Sequence, residues 1–117
     1  MAYSETLAQE VRKLLAQKLP PEVLAAELEE KKMFGGLAFM IRGKMAVCIG
    51  DEAGAEVMVV IGQDLQQQAM PRTGAKTTVM RGRPYRGYID LDHEGQKELS
   101  YWLDLALEYN RTQAGKH

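Results

Sequence analysis

The sequence has few of the side chains on which covalent catalysis and metal binding usually depend. Its 117 residues include one cysteine, two histidines and two serines. The single cysteine, Cys48, excludes an intramolecular disulfide and any zinc site built from several cysteines. Neither His93 nor His117 has a partner at metal-site spacing, and neither Ser4 nor Ser100 lies in a nucleophile motif. We therefore expect no catalytic, metal-binding or cofactor-binding residue, and a protein that is not an enzyme.

The chain also has no long apolar run and little net charge. No window approaches the roughly 18 apolar residues of a membrane-spanning helix. The N-terminal stretch MAYSETLAQEVRKLL lacks the apolar core of a signal peptide. A formal net charge of −1 gives no global attraction for nucleic acid or acidic membranes. With the lone cysteine, these absences predict a cytoplasmic protein without membrane contact. The length of 117 residues predicts one domain over residues 1–117.

Apolar spacing predicts helices at both ends of the chain. Ser4 is expected to cap the first helix, and Pro20–Pro21 to end it and begin a second. The apolar stripe of the first helix is Leu7, Val11, Leu14 and Leu15. The second helix has Val23, Leu24 and Leu28 on its apolar side and Glu22, Glu27, Glu29 and Glu30 on its polar side. After Asp92, a long helix is predicted by Leu99, Trp102, Leu103, Ala106 and Tyr109.

Between these helices the sequence predicts five strands and one short helix. The strands are Met33–Ile41, Lys44–Ile49, Val57–Ile61, Lys76–Met80 and Tyr85–Leu91. The short helix is Asp64–Met70, which Pro71 ends. The resulting order is α(α)-βββ-α-ββ-α. Hairpin connections and terminal helices favour an antiparallel sheet packed by helices, which is an α+β domain.

The first predicted hairpin has two alternative registers. If Arg42–Gly43 forms a two-residue turn, Ile41 pairs with Lys44 and Phe39 lies beside Ala46. A three-residue turn instead pairs Ile41 with Met45 and places Phe39 beside Val47. A shift of one residue exchanges the two faces of the strand. The sequence therefore does not determine which way Cys48 points.

Gly35–Gly36 is interpreted as a bulge or a close backbone crossing. It lacks the following Lys-Ser/Thr of a phosphate-binding loop and leads into a strand instead of a helix. Glycines inside strands commonly mark bulges or close approaches. Three acids, Asp90, Asp92 and Glu94, alternate near the end of the last strand. They are better explained by a strand end and a helix cap than by a cation site, since no EF-hand loop surrounds them.

A basic segment between Met70 and Ile89 contains five cations and no acid. The cations are Arg72, Lys76, Arg81, Arg83 and Arg86. Alternation along the last strand places Tyr85 with Ile89 on the core side. It places Arg86 and Tyr88 on the exposed side. Cations beside aromatic rings suit phosphates and stacked bases, so Arg81, Arg83, Arg86 and Tyr88 are candidate contacts for nucleic acid or for an acidic protein partner.

Three stretches of the sequence, KKMFGGLAFMIRGKMAVCIG, PRTGA and GRPYRGYIDLD, precede a helix that contains Trp102. Together they resemble the N-terminal domain of the TfoX/Sxy family, whose members include regulators of natural competence in bacteria. The resemblance covers nearly the full chain. The signature residues are Met33, Phe34, Gly35, Gly36, Leu37, Ala38 and Phe39, with Gly82, Arg83, Pro84 and Gly87 in support. Competence regulators of the family continue into a second, helical domain.

The resemblance implies an α+β fold and a regulatory or adaptor role without catalysis, and it supplies no catalytic residue. Our leading hypothesis is a cytoplasmic bacterial domain that acts through a protein partner, in transcriptional regulation or competence. The first alternative is direct nucleic-acid binding through the segment 72–88. The second is an enzyme or small-ligand protein, which would show a deep pocket with a perturbed titratable group.

Self-association is a further expectation, because both faces of the first hairpin are apolar. Leu37, Phe39 and Ile41 would lie on one face, with Ala38 and Met40 on the other. Helices on one side of the sheet would leave the second face uncovered, and exposed methionines suit a partner surface. We therefore expect a homodimer.

Overall fold

The computed structural model describes residues 4–33, 36–51 and 54–114. The helices are α1 (Glu5–Lys18), α2 (Pro21–Ala26), α3 (Gly62–Ala69), α4 (His93–Gln96) and α5 (Leu99–Ala114). The strands are β1 (Leu28–Met33), β2 (Gly36–Ile41), β3 (Lys44–Ile49), β4 (Val57–Val60), β5 (Ala75–Met80) and β6 (Arg83–Leu91). They form one antiparallel sheet in the order β1-β2-β3-β4-β6-β5, which confirms the α+β class. Within these residues, no helix is long and apolar enough to cross a membrane.

Both residues that the sequence predicts to cap a helix do so in the structure. Ser4 caps α1 by accepting a hydrogen bond from the backbone N–H of Leu7 at 3.2 Å. Asp92 caps α4, since its Oδ1 accepts from the backbone N–H groups of Glu94 at 2.8 Å and Gly95 at 3.1 Å. These bonds satisfy amides that the first turn of a helix leaves free. Asp92 is thereby confirmed as a cap, but of the four-residue helix α4 and not of the long helix α5, which begins at Leu99.

Side chains form rows across the sheet that alternate between its two faces. One row consists of Phe39, Val47, Val59 and Ile89, all fully buried. These residues share one hydrophobic cluster with Leu15 of α1 and Trp102 of α5. The neighbouring row points the other way and consists of Lys31, Ala38, Cys48, Met58, Asp90 and Lys76. The helices therefore pack on one face of the sheet.

The opposite face carries apolar residues that lie outside this core cluster. They are Ala38, Met40, Met45, Cys48, Met58, Val60 and Tyr88, and we call the surface that they define the outer face. Its small residues are buried and its methionines are half-buried. Of the two apolar faces of the first hairpin, the one with Phe39 is thus the core.

The turn between β2 and β3 contains two residues and is followed by a bulge. Ile41 pairs with Lys44, as a two-residue turn at Arg42–Gly43 requires. The register then shifts by one residue, so that Phe39 lies opposite Val47. Each of the two registers derived from the sequence is therefore correct for one part of the hairpin, because an extra residue in one strand resets the pairing.

The bulge determines the position of the lone cysteine. Ala46 and Val47 both join the core, and Cys48 then lies on the outer face opposite Ala38. The side chain of Cys48 is buried, and its burial raises the pKa of the thiol. This thiol packs as a small apolar group, as the sequence predicts.

The close backbone crossing that the sequence predicts is present at Gly36. A Cβ built on Gly36 would lie 2.1 Å from the carbonyl oxygen of Ile49, a distance that no real Cβ can adopt. Gly36 therefore allows β2 to begin directly against β3. The preceding signature residues, Phe34 and Gly35, lie outside the described residues.

The predicted extent of the second helix is wrong. Helix α2 ends at Ala26, where the backbone N–H of Glu27 donates to Val23, and Leu28 to Met33 form the edge strand β1 instead. The run Glu29–Lys32 favours helix by intrinsic propensity. Pairing with β2 overrides that propensity, because an edge strand can carry charged side chains that remain in water.

Candidate functional site

The hairpin of β5 and β6 extends beyond the neighbouring strand. Strand β4 pairs with β6 as far as Val60 and Tyr88, whereas β5 stays paired with β6 up to the turn at Arg81–Gly82. The two turn residues have φ angles of 52° and 76°, and positive φ at both positions is what a type I′ turn requires. We call the projecting residues 79–86 the arm.

The arm is separated from the rest of the sheet by a break in register. Thr77 pairs with Ile89, but the next residue, Thr78, pairs with Tyr85. Residues 86–88 of β6 therefore have no counterpart in β5 at this point. Such an irregularity bends a strand and increases its twist, and it redirects the side chains that follow.

Hydrogen bonds from α3 fix the base of the arm. Gln66 accepts from the backbone N–H of Gly87 in β6 and donates to Oγ1 of Thr77 in β5 at 2.8 Å. Gly87 has a φ of 91°, and a Cβ there would lie 2.9 Å from Cα of Gly62 at the start of α3. One amide side chain thus connects both strands of the arm to the helix that packs beside them.

The break in register also changes the positions of the two tyrosines. Tyr85 is 41% exposed, so its predicted place in the core is wrong. Tyr88 lies on the outer face, on the side of β6 opposite Ile89, as predicted. It is half-buried there. The two rings meet edge to face, with their centroids 6.1 Å apart and an interplanar angle of 85°. The simple alternation assumed from the sequence fails at residues 86–88, and Gly87 inside a strand was the available signal for this.

The three predicted contact arginines lie together on the arm. Arg81, Arg83 and Arg86 are all exposed. Within the described residues, none of the three forms a salt bridge or a side-chain hydrogen bond. Three exposed cations within six consecutive residues of the arm therefore have no salt-bridge partner among the described residues.

The other two bases of the basic segment have different surroundings. Arg72 donates to both carboxylate oxygens of Glu98, at 3.2 and 2.6 Å, and lies 4.0 Å above the ring of Tyr101. The hydrogen bond with Glu98 raises the pKa of Arg72. Lys76 lies opposite Asp90 in the sheet. Arg72 therefore connects the loop before β5 to the start of α5, and among the described residues it is the one base of the segment 72–88 that forms a salt bridge.

The arm also carries exposed apolar side chains. Among the described residues, the large apolar side chains that are exposed are Val79, Met80 and Tyr85, at 61%, 39% and 41%. All three belong to the arm. Isolated exposed apolar residues are common on protein surfaces, but their confinement to one projecting hairpin with three arginines is a specific feature. The sequence did not predict the exposure of this trio.

A cleft of about 260 Å³ lies beside the base of the arm. It is lined by Gln63, Gln66, Gln67, Met70 and Arg86. Gln66 is already engaged at the arm base, whereas the exposed side chains of Gln63 and Gln67 form no hydrogen bond within the described residues. The cleft therefore offers amide donors and acceptors next to a guanidinium.

The acids that alternate along the end of β6 have structural partners. Asp90 is buried and accepts a hydrogen bond from Oγ1 of Thr78 at 2.8 Å, and Asp92 caps α4. No group of three or more His, Cys, Asp or Glu side chains that could hold a metal is present in the described ranges. His93 is exposed in α4, and His117 lies outside those ranges.

The described signature residues of the TfoX/Sxy resemblance occupy structural positions. Leu37 and Phe39 are in the core, and Gly36 permits the crossing with β3. In the arm, Gly82 completes the turn and Pro84 pairs with Val79, and Gly87 lies next to the arm at its base. Met33 ends β1. No family model, curated protein or solved structure matches the chain, so membership of that family stays a prediction.

Proposed function

We propose that this chain is a non-enzymatic regulatory or adaptor domain that binds a protein partner through the arm. The observation that carries the proposal is that three arginines without a salt bridge in the described part of the chain coincide with three exposed apolar side chains on residues 79–86. Transcriptional regulation or competence is the process that the TfoX/Sxy resemblance implies. A bacterial cytoplasmic setting comes from the same resemblance and from the lone cysteine.

The composition of the arm matches the centre of a protein interface. Arg, Tyr and Met are enriched in such interfaces, and arginine and tyrosine supply a large share of binding energy. The exposed apolar atoms of Val79 and Met80 gain from burial against apolar partner atoms. The guanidinium groups favour carboxylates, which they can bind through two parallel hydrogen bonds. The partner surface that fits is therefore acidic around an apolar centre.

The fixed base of the arm contributes to binding. Because Gln66 ties β5 and β6 to α3, little conformational entropy is lost when a partner orders the hairpin. Preorganisation of this kind raises affinity by lowering the cost of association. A projecting two-stranded ribbon also reaches a concave partner surface that a flat sheet cannot enter.

Binding of nucleic acid is a second candidate function. The specific observation in its favour is that a two-stranded ribbon with unpaired arginines fits the major groove of DNA. Tyr85 is exposed at the same place and offers a ring for base stacking. Val79 and Met80 are less well explained by this candidate, since phosphates offer them no apolar contact. Three free cations are also a small electrostatic footprint.

Quantitative capture from a bacterial lysate tests the protein-partner proposal. The arm variant is Arg81→Gln with Arg83→Gln and Arg86→Gln. The control variant, Lys13→Gln with Lys44→Gln and Arg111→Gln, changes net charge equally at exposed bases without salt bridges. We expect a protein captured by wild type and control to be lost with the arm variant. Its measured affinity should fall at least about 30-fold, as the loss of one strong interface residue alone implies.

Equal capture by the arm variant would overturn the proposal. The nucleic-acid candidate is tested separately by fluorescence anisotropy with a labelled single strand and a labelled duplex at low salt. If three arginines contact phosphates, the logarithm of affinity should fall against the logarithm of salt with a slope of about −2 to −3. The arm variant should then show almost no salt dependence. Absence of binding at low salt removes this candidate.

A further inference from the structure

Strand β1 is an edge of the sheet, and its backbone groups alternate in direction. The backbone N–H of Arg42 donates to the carbonyl of Glu27 at 3.0 Å, so Glu27 and Arg42 form a hydrogen-bonded pair. In an antiparallel ladder such pairs alternate with non-hydrogen-bonded ones. The backbone groups of Leu28, Glu30 and Lys32 therefore point away from β2, toward the free edge. They can accept a further antiparallel strand.

The side chains of β1 are charged on both faces of the sheet. Glu29 and Lys31 lie on the outer face, opposite Met40 and Ala38, and their charged groups are 4.0 Å apart. Glu30 and Lys32 lie on the helix side, opposite Phe39 and Leu37. All four side chains are exposed. Charged edge strands ordinarily keep other chains away, so any strand that joins this edge must satisfy these charges.

A second copy of β1 places opposite charges next to these side chains in one pairing register. When two copies of β1 pair antiparallel, the free backbone groups require Glu30 to lie opposite residue 28, 30 or 32 of the other copy. With Glu30 opposite Glu30, Glu29 of each copy faces Lys31 of the other. This is a non-hydrogen-bonded position, where side chains approach most closely. A shift by two residues, with Glu30 opposite Lys32, would instead place Lys31 against Lys31.

The like charges at the centre of that register are already neutralised. Arg12 of α1 donates two hydrogen bonds to Glu30, at 2.7 and 2.8 Å, and a third to Glu5 at 3.0 Å. Hydrogen bonding to Arg12 lowers the pKa of Glu30. Two such Arg12–Glu30 pairs would meet across the two-fold axis on the helix side. Each carboxylate would then lie near two guanidinium groups.

We propose that two copies of this chain pair antiparallel along β1, with Glu30 at the two-fold axis and Glu29 of each copy facing Lys31 of the other. The two six-stranded sheets then form one continuous sheet with all helices on one side. The arms lie at its two outer ends. This interface differs from the one expected from the sequence, which would have used the apolar outer face. The proposal does not depend on what the arm binds.

Cysteine cross-linking tests the register directly. In a Cys48→Ser background, Glu30→Cys places two cysteines in a hydrogen-bonded pair with Cα atoms about 5.5 Å apart, within disulfide range. Lys32→Cys is the matched control on the same face, since its Cα atoms would be about 14 Å apart. We expect disulfide dimers from Glu30→Cys at more than ten times the yield from Lys32→Cys. Equal yields would overturn the register.

Charge exchange tests the interface without introducing cysteine. Glu29→Lys and Lys31→Glu each convert two attractive contacts into two repulsive ones, and each should weaken dimerisation about 10-fold. The double variant Glu29→Lys with Lys31→Glu restores opposite charges and should return to within about 3-fold of wild type. The readout is mass by sedimentation over a concentration series. A wild-type monomer at several hundred micromolar, or a double variant no better than the single ones, would contradict the proposal.

Discussion

Two arginines of this protein adopt a backbone conformation that arginine rarely occupies. Arg42 and Arg81 have φ angles of 55° and 52°, each as the first central residue of a two-residue turn. At Arg42 the conformation is stabilised by Asn110. The Oδ1 of Asn110 accepts from the Arg42 side chain at 3.0 Å, and its Nδ2 donates to the carbonyl of Ile41 at 2.9 Å. Arg81 has no such contact within the described residues. Backbone strain that no contact within the protein offsets is typical of residues in functional sites, such as those that bind a partner.

The two turns therefore predict different responses to the same substitution. Asn-Gly is the preferred pair for this kind of turn, so Arg81→Asn should raise the free energy of unfolding by about 0.5–1 kcal/mol. Arg42→Asn gains the same relief but loses the hydrogen bond to Asn110, worth about 1 kcal/mol, so it should be neutral or destabilising. Urea unfolding of both variants measures the difference. No gain from Arg81→Asn would show that Arg81 carries no unrelieved strain, whereas equal gains would show that the bond to Asn110 contributes nothing at Arg42.

At the level of single residues, the sequence located the exposed cations but not all of their neighbours. Exposure of Arg81, Arg83 and Arg86 followed from charge and from a predicted turn. The position of Tyr85 was wrong because an alternation rule holds only where the strand is regular. That these arginines form no salt bridge with the described residues could not be predicted, since it depends on where acids lie in the folded chain.

At the level of elements, the arm depends on how β6 crosses the start of α3. Gly62 and Gly87 meet there, and both have positive φ, at 80° and 91°. The carbonyl of Gly87 also accepts from the backbone N–H of Ile61 at 2.8 Å. This contact holds β6 against the start of α3 at the base of the arm. A side chain at Gly87 would separate β6 from α3.

Substitution of two glycines separates crowding from backbone strain. Gly82→Ala at the arm tip has positive φ and no neighbouring atom within 4 Å, so only strain of about 1 kcal/mol is expected. Gly87→Ala adds a clash with Gly62 at 2.9 Å, and we expect a loss of about 3 kcal/mol or more. Thermal or urea unfolding gives both values. Similar losses at the two positions would argue against a tight crossing at the arm base.

Strand β1 shows what the sequence could not determine at this level. Long apolar stripes predicted α1 and α5, because apolar residues repeated at helical spacing over many residues fit a helix and not a strand. The stretch Leu28–Met33 has one apolar residue at each end and four charges between them. Its conformation is set by β2, a tertiary partner that local pattern does not reveal.

At the level of the whole molecule, one face of the sheet is covered by helices, and the sheet has two edge strands, β1 and β5. All the residues of the core cluster lie between the helices and one sheet face, as alternating strands and amphipathic helices predicted. The charged edge at β1 and the arm at the β5–β6 end lie at opposite limits of the sheet. An edge-paired dimer would therefore present two arms without obstructing either.

This arrangement leaves the central claim, that the arm is the site of protein contact, open to direct measurement. Photo-crosslinking in living cells uses a photoreactive residue at Val79, which is 61% exposed on the arm, and at Gln17, which is exposed on α1, as the control. We predict a protease-sensitive, nuclease-resistant adduct from position 79, lost when Arg81, Arg83 and Arg86 are all changed to Gln. No corresponding adduct should form from position 17. Equal adducts from both positions, or an adduct at position 79 that nuclease removes, would contradict the claim.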